Sequence, residues 1–356
     1  MKLCFRLVFA FLLIGRPFFP VAAAAQPGTA QSDRIAVRFD SSEAEAVLAI
    51  VDKRAAGKSI EDADWNALFT SEPYVRLKKR EASMHRDFTD EDFRKFVLSD
   101  DLLTHATELR RTLPEWRQAD LSAAARRVLA YLPSQARIRP KVYPVIKPKK
   151  NSFVFESNTD PAIFLYLDPS VTREQFENTV AHEMHHIGFA SLESEKDAQL
   201  ANLPPATKSA VEWMGAFGEG FAMLAASGSP DIHPHTNSKP EDRARWDRDM
   251  ANFNQDVRTL DEFFLDIVHG KFKTKDDVDA KGYSFFGIQG PWYTVGYKMA
   301  VTIEKQFGRE RLIACMTNVR ELLPTYNQAA AEQAKKSGET PTLWSQDLIR
   351  AIAENK

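Results

Sequence analysis

Residues 182–186 read HEMHH, three imidazoles and a carboxylate within five positions. On a helix, His182 and His186 differ by about 40° in direction and about 6 Å in height, so both rings reach one ion. Glu183, next to the first of them, is then placed to take a proton from a water that the ion acidifies rather than to bind the ion. Zinc suits this pattern, because it brings the acidity of bound water close to neutrality. His182 and His185, three apart, also permit a shared ion. The glutamate position is defined relative to the four-residue pair, which selects His186 and leaves His185 as a supporting or solvent-facing side chain.

A catalytic zinc generally has three protein ligands and keeps a fourth position for water. The stretch GEGFAMLAA offers Glu219, flanked by Gly218 and Gly220, which let another backbone come close. Glu212, about two helical turns earlier, shares much of that face and is the second choice. His233 and His235 alternate in a Pro-containing loop and read as polar loop residues before they read as ligands. His85, His105 and His269 stand alone and read as helix-surface or hydrogen-bonded core residues. Attack on a carbonyl also needs a donor to the developing oxyanion. In GPWYTVGYKMA, Tyr293 and Tyr297 lie four apart on a helix that Pro291 opens, and either phenol would serve.

Positioning these groups requires particular elements. Thr172 and Gln175 are spaced as a capping box, and Phe176, Val180, Met184 and Ile187 form an apolar stripe, so HEMHH falls inside a helix. A second helix, from about Lys208 to Ala226, carries Glu219. Upstream, RIAVRF suits a short strand, and Ser42 with Glu45 reads as a capping-box start. Periodic runs near Glu61 to Phe69, Asp90 to Val97 and Leu121 to Leu132 predict further helices. Pro133, Pro140 and Pro144 end that pattern, and VYPVI, SFVFE and AIFLYL predict two or three strands. After the loop GSPDIHPHTNSKPED comes a long helical candidate from Arg243 to His269. The expectation is a mainly α-helical α+β protein. It has a helical N-terminal region over 26–135, a small sheet plus zinc-binding helices over 136–226, and a helical region over 227–356 closing the cleft.

The first residues, MKLCFRLVFAFLLIG, followed by VAAAAQ, have the layout of a secretory signal peptide over 1–25, which predicts a secreted or periplasmic protein with no stable membrane anchor after cleavage. Of the two cysteines, Cys4 leaves with that segment, and Cys315 remains alone with no internal disulfide. Cleavage removes Lys2, Arg6 and Arg16 and no acid, which takes the formal net charge from −2 to −5. Such a balance, with both signs interspersed, gives no phosphate-binding field and argues against nucleic acid as a partner.

With the third ligand read as GEGFA, the site resembles the gluzincin metallopeptidases, in which a glutamate ligand follows HExxH on a second helix. YTVG at 293–296 is similar to the Y-x-x-G of their aminopeptidase branch. That resemblance implies a zincin-like site helix, makes Tyr293 rather than Tyr297 the oxyanion donor, and implies hydrolysis of a peptide or protein substrate with one zinc ion. From SEPYVRLKKRE through VAHEMHHIGF to GPWYTVGY, the chain resembles an uncharacterised bacterial family of zinc-dependent peptidases. The aminopeptidase element G-A-M-E-N is absent, which weakens the case for amino-terminal exopeptidase action and leaves endo- versus exopeptidase cleavage open. Met223 stands where thermolysin-like enzymes have an aspartate, so His182 has no assigned supporting partner. Two alternatives stay open: an exported, catalytically silent zinc-containing binding protein, and a zinc hydrolase of a nonpeptide amide or ester.

Overall fold

Side chains that satisfy the first N–H groups of helices account for many of the helix boundaries in the structure, a computed structural model that describes residues 33–338 and 340–353. The signal segment expected at 1–25, with Cys4, lies outside those residues. Glu61 and Asp64 form a reciprocal box at the head of Asp62–Phe69. Thr89 and Ser99 cap Asp90–Val97 and Asp100–Arg117 by accepting N–H bonds from Asp92 and Leu102. The box at Thr172 forms as expected: the Thr172 N–H donates to Gln175 Oε1 at 2.9 Å and the Gln175 N–H to Thr172 Oγ1 at 3.2 Å. At Ser42 the expectation needs correcting. The helix Ser42–Ala55 starts there, but Ser42 donates its N–H to Asp40 Oδ1 and the Ser41 hydroxyl bonds Glu45, so Ser42 is the first helical residue and not the cap.

The structure is mainly helical α+β, with one four-stranded sheet in the order β1-β2-β4-β3. The strands are β1 (Arg38–Phe39), β2 (Lys141–Val145), β3 (Phe153–Phe155) and β4 (Ala162–Tyr166). β2 runs parallel to both β1 and β4, and β3 is antiparallel to β4, placing Phe153 opposite Phe164. Pro144 has no N–H to give, yet lies in the inner strand β2. The bond from Asp40 N–H to the Val142 carbonyl shows that even-numbered residues of β2 face β1. At Pro144, β1 has already given way to the helix from Ser42, so no ladder bond is lost. One step further along, the Ile146 N–H finds the Glu43 carboxylate at 3.0 Å in place of a strand.

By contacts the chain divides into two compact units. One comprises Ile138–Phe176 and the described residues up to Ser122; the other comprises Ala123–Arg137 and the described residues from Glu177 onward. The first holds the sheet, whose apolar face buries Leu77, Tyr143, Val145, Phe153, Ala162 and Phe164. The second is helical. The helix expected from Lys208 to Ala226 is broken into Pro205–Met214, a 3₁₀ turn at Gly215–Phe217, and Gly218–Ser227. Likewise, Arg243 to His269 is two helices, Pro240–Ala251 and Phe253–Val268, meeting at Asn252. Phe217, Phe264, Trp292 and Trp344 form an aromatic core there, and the Trp292 indole N–H bonds the Gly282 carbonyl at 2.9 Å. Cys315 is buried and in no disulfide. Among the described residues no helix is long and apolar enough to cross a membrane.

Candidate metal centre

The helix Arg173–Ala190 carries HEMHH, and its rotation is set by Phe176, Val180, Met184 and Ile187, all of which are buried. This leaves His182 and His186 partly exposed on an adjoining stripe. Glu219 reaches them from the first turn of Gly218–Ser227. His182 Nε2 lies 3.1 Å from Glu219 Oε2 and 3.1 Å from His186 Nε2, and His186 Nε2 lies 3.3 Å from Glu219 Oε2. These three side chains form the one His, Cys, Asp and Glu cluster with metal-binding spacing among the described residues.

The triangle fits zinc. Three corners of a tetrahedron with bonds of about 2.0–2.1 Å lie about 3.3–3.4 Å apart. The donor chemistry fits too, since two neutral imidazole lone pairs and a carboxylate oxygen facing one another are all acceptors, and a shared cation satisfies all three. Burial opposes ionisation of Glu219, but when the imidazoles carry protons the charges and hydrogen bonds of His186 and His182 outweigh it and hold the carboxyl well below the usual range, as a shared cation would in their place. Glu183 is buried and couples electrostatically to the same three side chains. Burial pushes its carboxyl up, against the lowering effect of His182 and His186. A carboxylate so placed is a better proton acceptor than one in water.

Tyr293 joins this group. Its ring stacks on His182 at 6.3 Å and 17° between planes, and its phenol is pushed well up by burial, then by the charges of Glu219 and Glu183. It therefore stays protonated and able to donate. Tyr297 does not join it. The Tyr297 hydroxyl donates to the Ile232 carbonyl at 3.3 Å and its ring meets Trp246.

Glu219 and Tyr293 are neighbours because their helices touch backbone to backbone. A Cβ on Gly220 would lie 2.0 Å from the Tyr297 nitrogen, and one on Gly296 would lie 2.5 Å from the Phe217 carbonyl oxygen. Glycine is required at both positions for the contact to exist. Gly218, the other glycine flanking Glu219, faces open space. Of the two glycines expected to admit another backbone, Gly220 does so and Gly218 does not; the partner of Gly220 is Gly296, in the middle of Pro291–Phe307, whose signal in the sequence is a small residue on each of two adjacent helices.

The remaining candidates lie elsewhere. Glu212 is exposed and pairs with Lys208 at 3.9 Å, because the 3₁₀ turn at Gly215–Phe217 breaks the helical register linking it to Glu219. His185 is buried, not solvent-facing, with its ring stacked on Phe189 and neither nitrogen hydrogen-bonded among the described residues. His182 Nδ1 is also buried without a hydrogen-bond partner among the described residues, in keeping with Met223 in place of an aspartate. His233 Nε2 lies 3.0 Å from Asp247 Oδ1, and His235 Nδ1 lies 2.8 Å from Ser238 Oγ. His85, His105 and His269 are exposed.

Comparison with known proteins adds one finding. A family model described as "Putative zinc dependent peptidase (DUF5700)" matches residues 65–335, a span that contains every residue of the centre. No curated protein and no solved structure matches the chain.

Proposed function

Since the chain belongs to the DUF5700 family, we propose that it is a zinc peptidase of gluzincin type, cleaving peptide bonds at the centre formed by His182, Glu183, His186, Glu219 and Tyr293. The observation that carries this reading is the near-equilateral triangle of His182, His186 and Glu219 donor atoms, 3.1–3.3 Å on a side, with the buried Glu183 coupled to all three.

His182, His186 and Glu219 would hold the ion. When bound, zinc would supply a Lewis acid that lowers the pKa of water towards neutrality and polarises a carbonyl. Glu183 takes a proton from the attacking water, and burial keeps the carboxylate basic enough to do so. The same carboxyl then gives that proton to the leaving amine nitrogen as the C–N bond breaks. Tyr293, protonated and facing the carboxylates, donates a hydrogen bond to the oxygen on which charge develops. The residues at 1–25 support export, so the substrate is a peptide or protein met outside the cytoplasm.

The test is peptide hydrolysis and zinc content in the purified protein and in Glu183→Gln. The amide keeps the size but cannot accept the proton. Turnover is expected to fall by about 10²–10⁴-fold with zinc retained. Unchanged turnover in this variant would falsify the mechanism.

A further inference from the structure

Among the described residues, six large apolar side chains are strongly exposed, and two of them, Tyr283 (51%) and Ile288 (58%), flank Phe286 in the segment that leads into the helix carrying Tyr293. Scattered singly they would mean little; close together on a segment whose Phe286 meets Tyr293, they mark a surface that something covers. Ile288 lies in the turn between Lys275–Ser284 and Pro291–Phe307, next to Gln289, whose φ of 68° holds that turn in the left-handed region.

The cluster is continuous with the centre. Tyr283 stacks on Phe286 at 6.2 Å, Phe286 meets the edge of Tyr293 at 6.5 Å, and Tyr293 stacks on His182 at 6.3 Å. An unbroken run of ring contacts thus leads from an exposed aromatic to a candidate metal ligand. The inner edges are anchored, Tyr283 against Trp213 at 5.2 Å and Phe286 against Trp292 at 6.4 Å. The surface is therefore held in place before a ligand arrives, which lowers the ordering cost of binding.

We propose that Tyr283, Phe286 and Ile288 form a specificity subsite for a large apolar side chain of the substrate, adjacent to the bond cut at the centre. The proposal rests on the hydrolytic reading above for its ligand, a peptide. It assigns the preference to apolar contact, with no ionic partner required from the substrate.

Two fluorescein-labelled heptapeptides that differ only in a central Phe or Asp provide the test, with binding to the zinc-loaded Glu183→Gln protein followed by anisotropy. The Phe peptide is expected to bind at least roughly ten-fold more tightly, as one well-covered apolar side chain allows. Phe286→Ala and Ile288→Ser, each on that background, are expected to reduce the gap to about three-fold or less. Because Ile288 is 58% exposed, its substitution leaves folding intact and keeps the test open if Phe286→Ala misfolds. A gap that is absent in the Glu183→Gln protein, or one that both further variants leave untouched, overturns the subsite. Hydrolysis of the same two peptides by the wild type distinguishes the two ideas: the expected gap without cleavage of either peptide keeps the subsite and sinks the peptidase reading.

Discussion

Each unit buries a cluster of ionisable groups, and the clusters differ in where their positive charge comes from. In the first unit Glu43, Arg80, Glu81 and Lys147 are all at most 8% exposed. Arg80 pairs with Glu81 at 2.5 Å, and the charge of Lys147 acts on Glu43. In the second unit, the side chains that shift Glu219 are His186 and His182, and those that shift Glu183 are the same two histidines and Glu219, with no lysine or arginine among them. Buried charge without a counterion costs several kcal/mol. The first cluster sets the chain's own cations beside its acids; the second brings two acids together beside two histidines and has the donor set for a divalent cation.

The largest expected effect comes from breaking the second cluster. His186→Ala or Glu219→Ala is expected to weaken zinc binding on the order of 1,000-fold, since partners beyond the ligands alone account for about 10–100-fold. Metal content after dialysis against micromolar zinc reads this directly, and retention of one ion by both variants would remove the centre from its assigned place.

Arg80→Met makes the opposite cut. It removes the nearer and more buried of the two arginines paired with Glu81, leaving Arg86 at 3.4 Å, and is expected to lower unfolding stability by about 3 kcal/mol in urea while leaving zinc content unchanged. Zinc loss in this variant would mean that the clusters are not independent.

Within the second cluster, Tyr293→Phe is expected to lower turnover by about 100-fold with zinc bound, against a change of less than about 3-fold for Tyr297→Phe, whose hydroxyl is engaged elsewhere. Equal effects of the two would return Tyr293 to a packing role.

The smallest effect sharpens the first cluster through pH. Burial above all, against the Ile146 N–H and the charge of Lys147, pushes Glu43 up to about 8 from its ordinary 4.5. The folded protein therefore keeps a proton that the unfolded chain releases in that window, and stability from this group falls as pH rises from about 4.5 to 8. Burial also pushes Lys147 down to about 7 from 10.5, so its contribution rises with pH above about 7. Glu43→Gln mimics the protonated acid and can still accept the Ile146 N–H. Its advantage over the wild type is expected to grow between pH 5 and pH 8, to about 2 kcal/mol. An equal difference at both pH values in urea unfolding would place the retained proton elsewhere.

The parts legible in the sequence were those fixed over a few residues. Thr172 and Gln175 mark the start of the site helix because a capping box acts across three positions, and the stripe from Phe176 to Ile187 marks its buried face for the same local reason. The spacing of His182 and His186 follows from helical pitch. Glu219 needed the context of GEGFA, since nothing local ties it to a helix more than thirty residues away. The break at Gly215–Phe217 was hidden because its residues continue an apolar pattern; the change of course is set by Phe217 turning into the aromatic core. The division at Asn252 was hidden for a similar reason, with apolar residues at helical spacing on both sides. The burial of His185 followed from its neighbours in space, which spacing along the chain does not reveal.

The contact between Gly220 and Gly296 bears on how the centre responds to heat. With backbone against backbone at these two glycines, no side chain at that contact can change rotamer and let the helices slide apart. The backbones that carry Glu219 and Tyr293 are therefore held at a stiff spacing, and warming has little gradual way to detune the centre. Loss of turnover and loss of helical ellipticity in the zinc-loaded protein are accordingly expected to fall on one melting curve, with Gly296→Ala shifting both midpoints downward together.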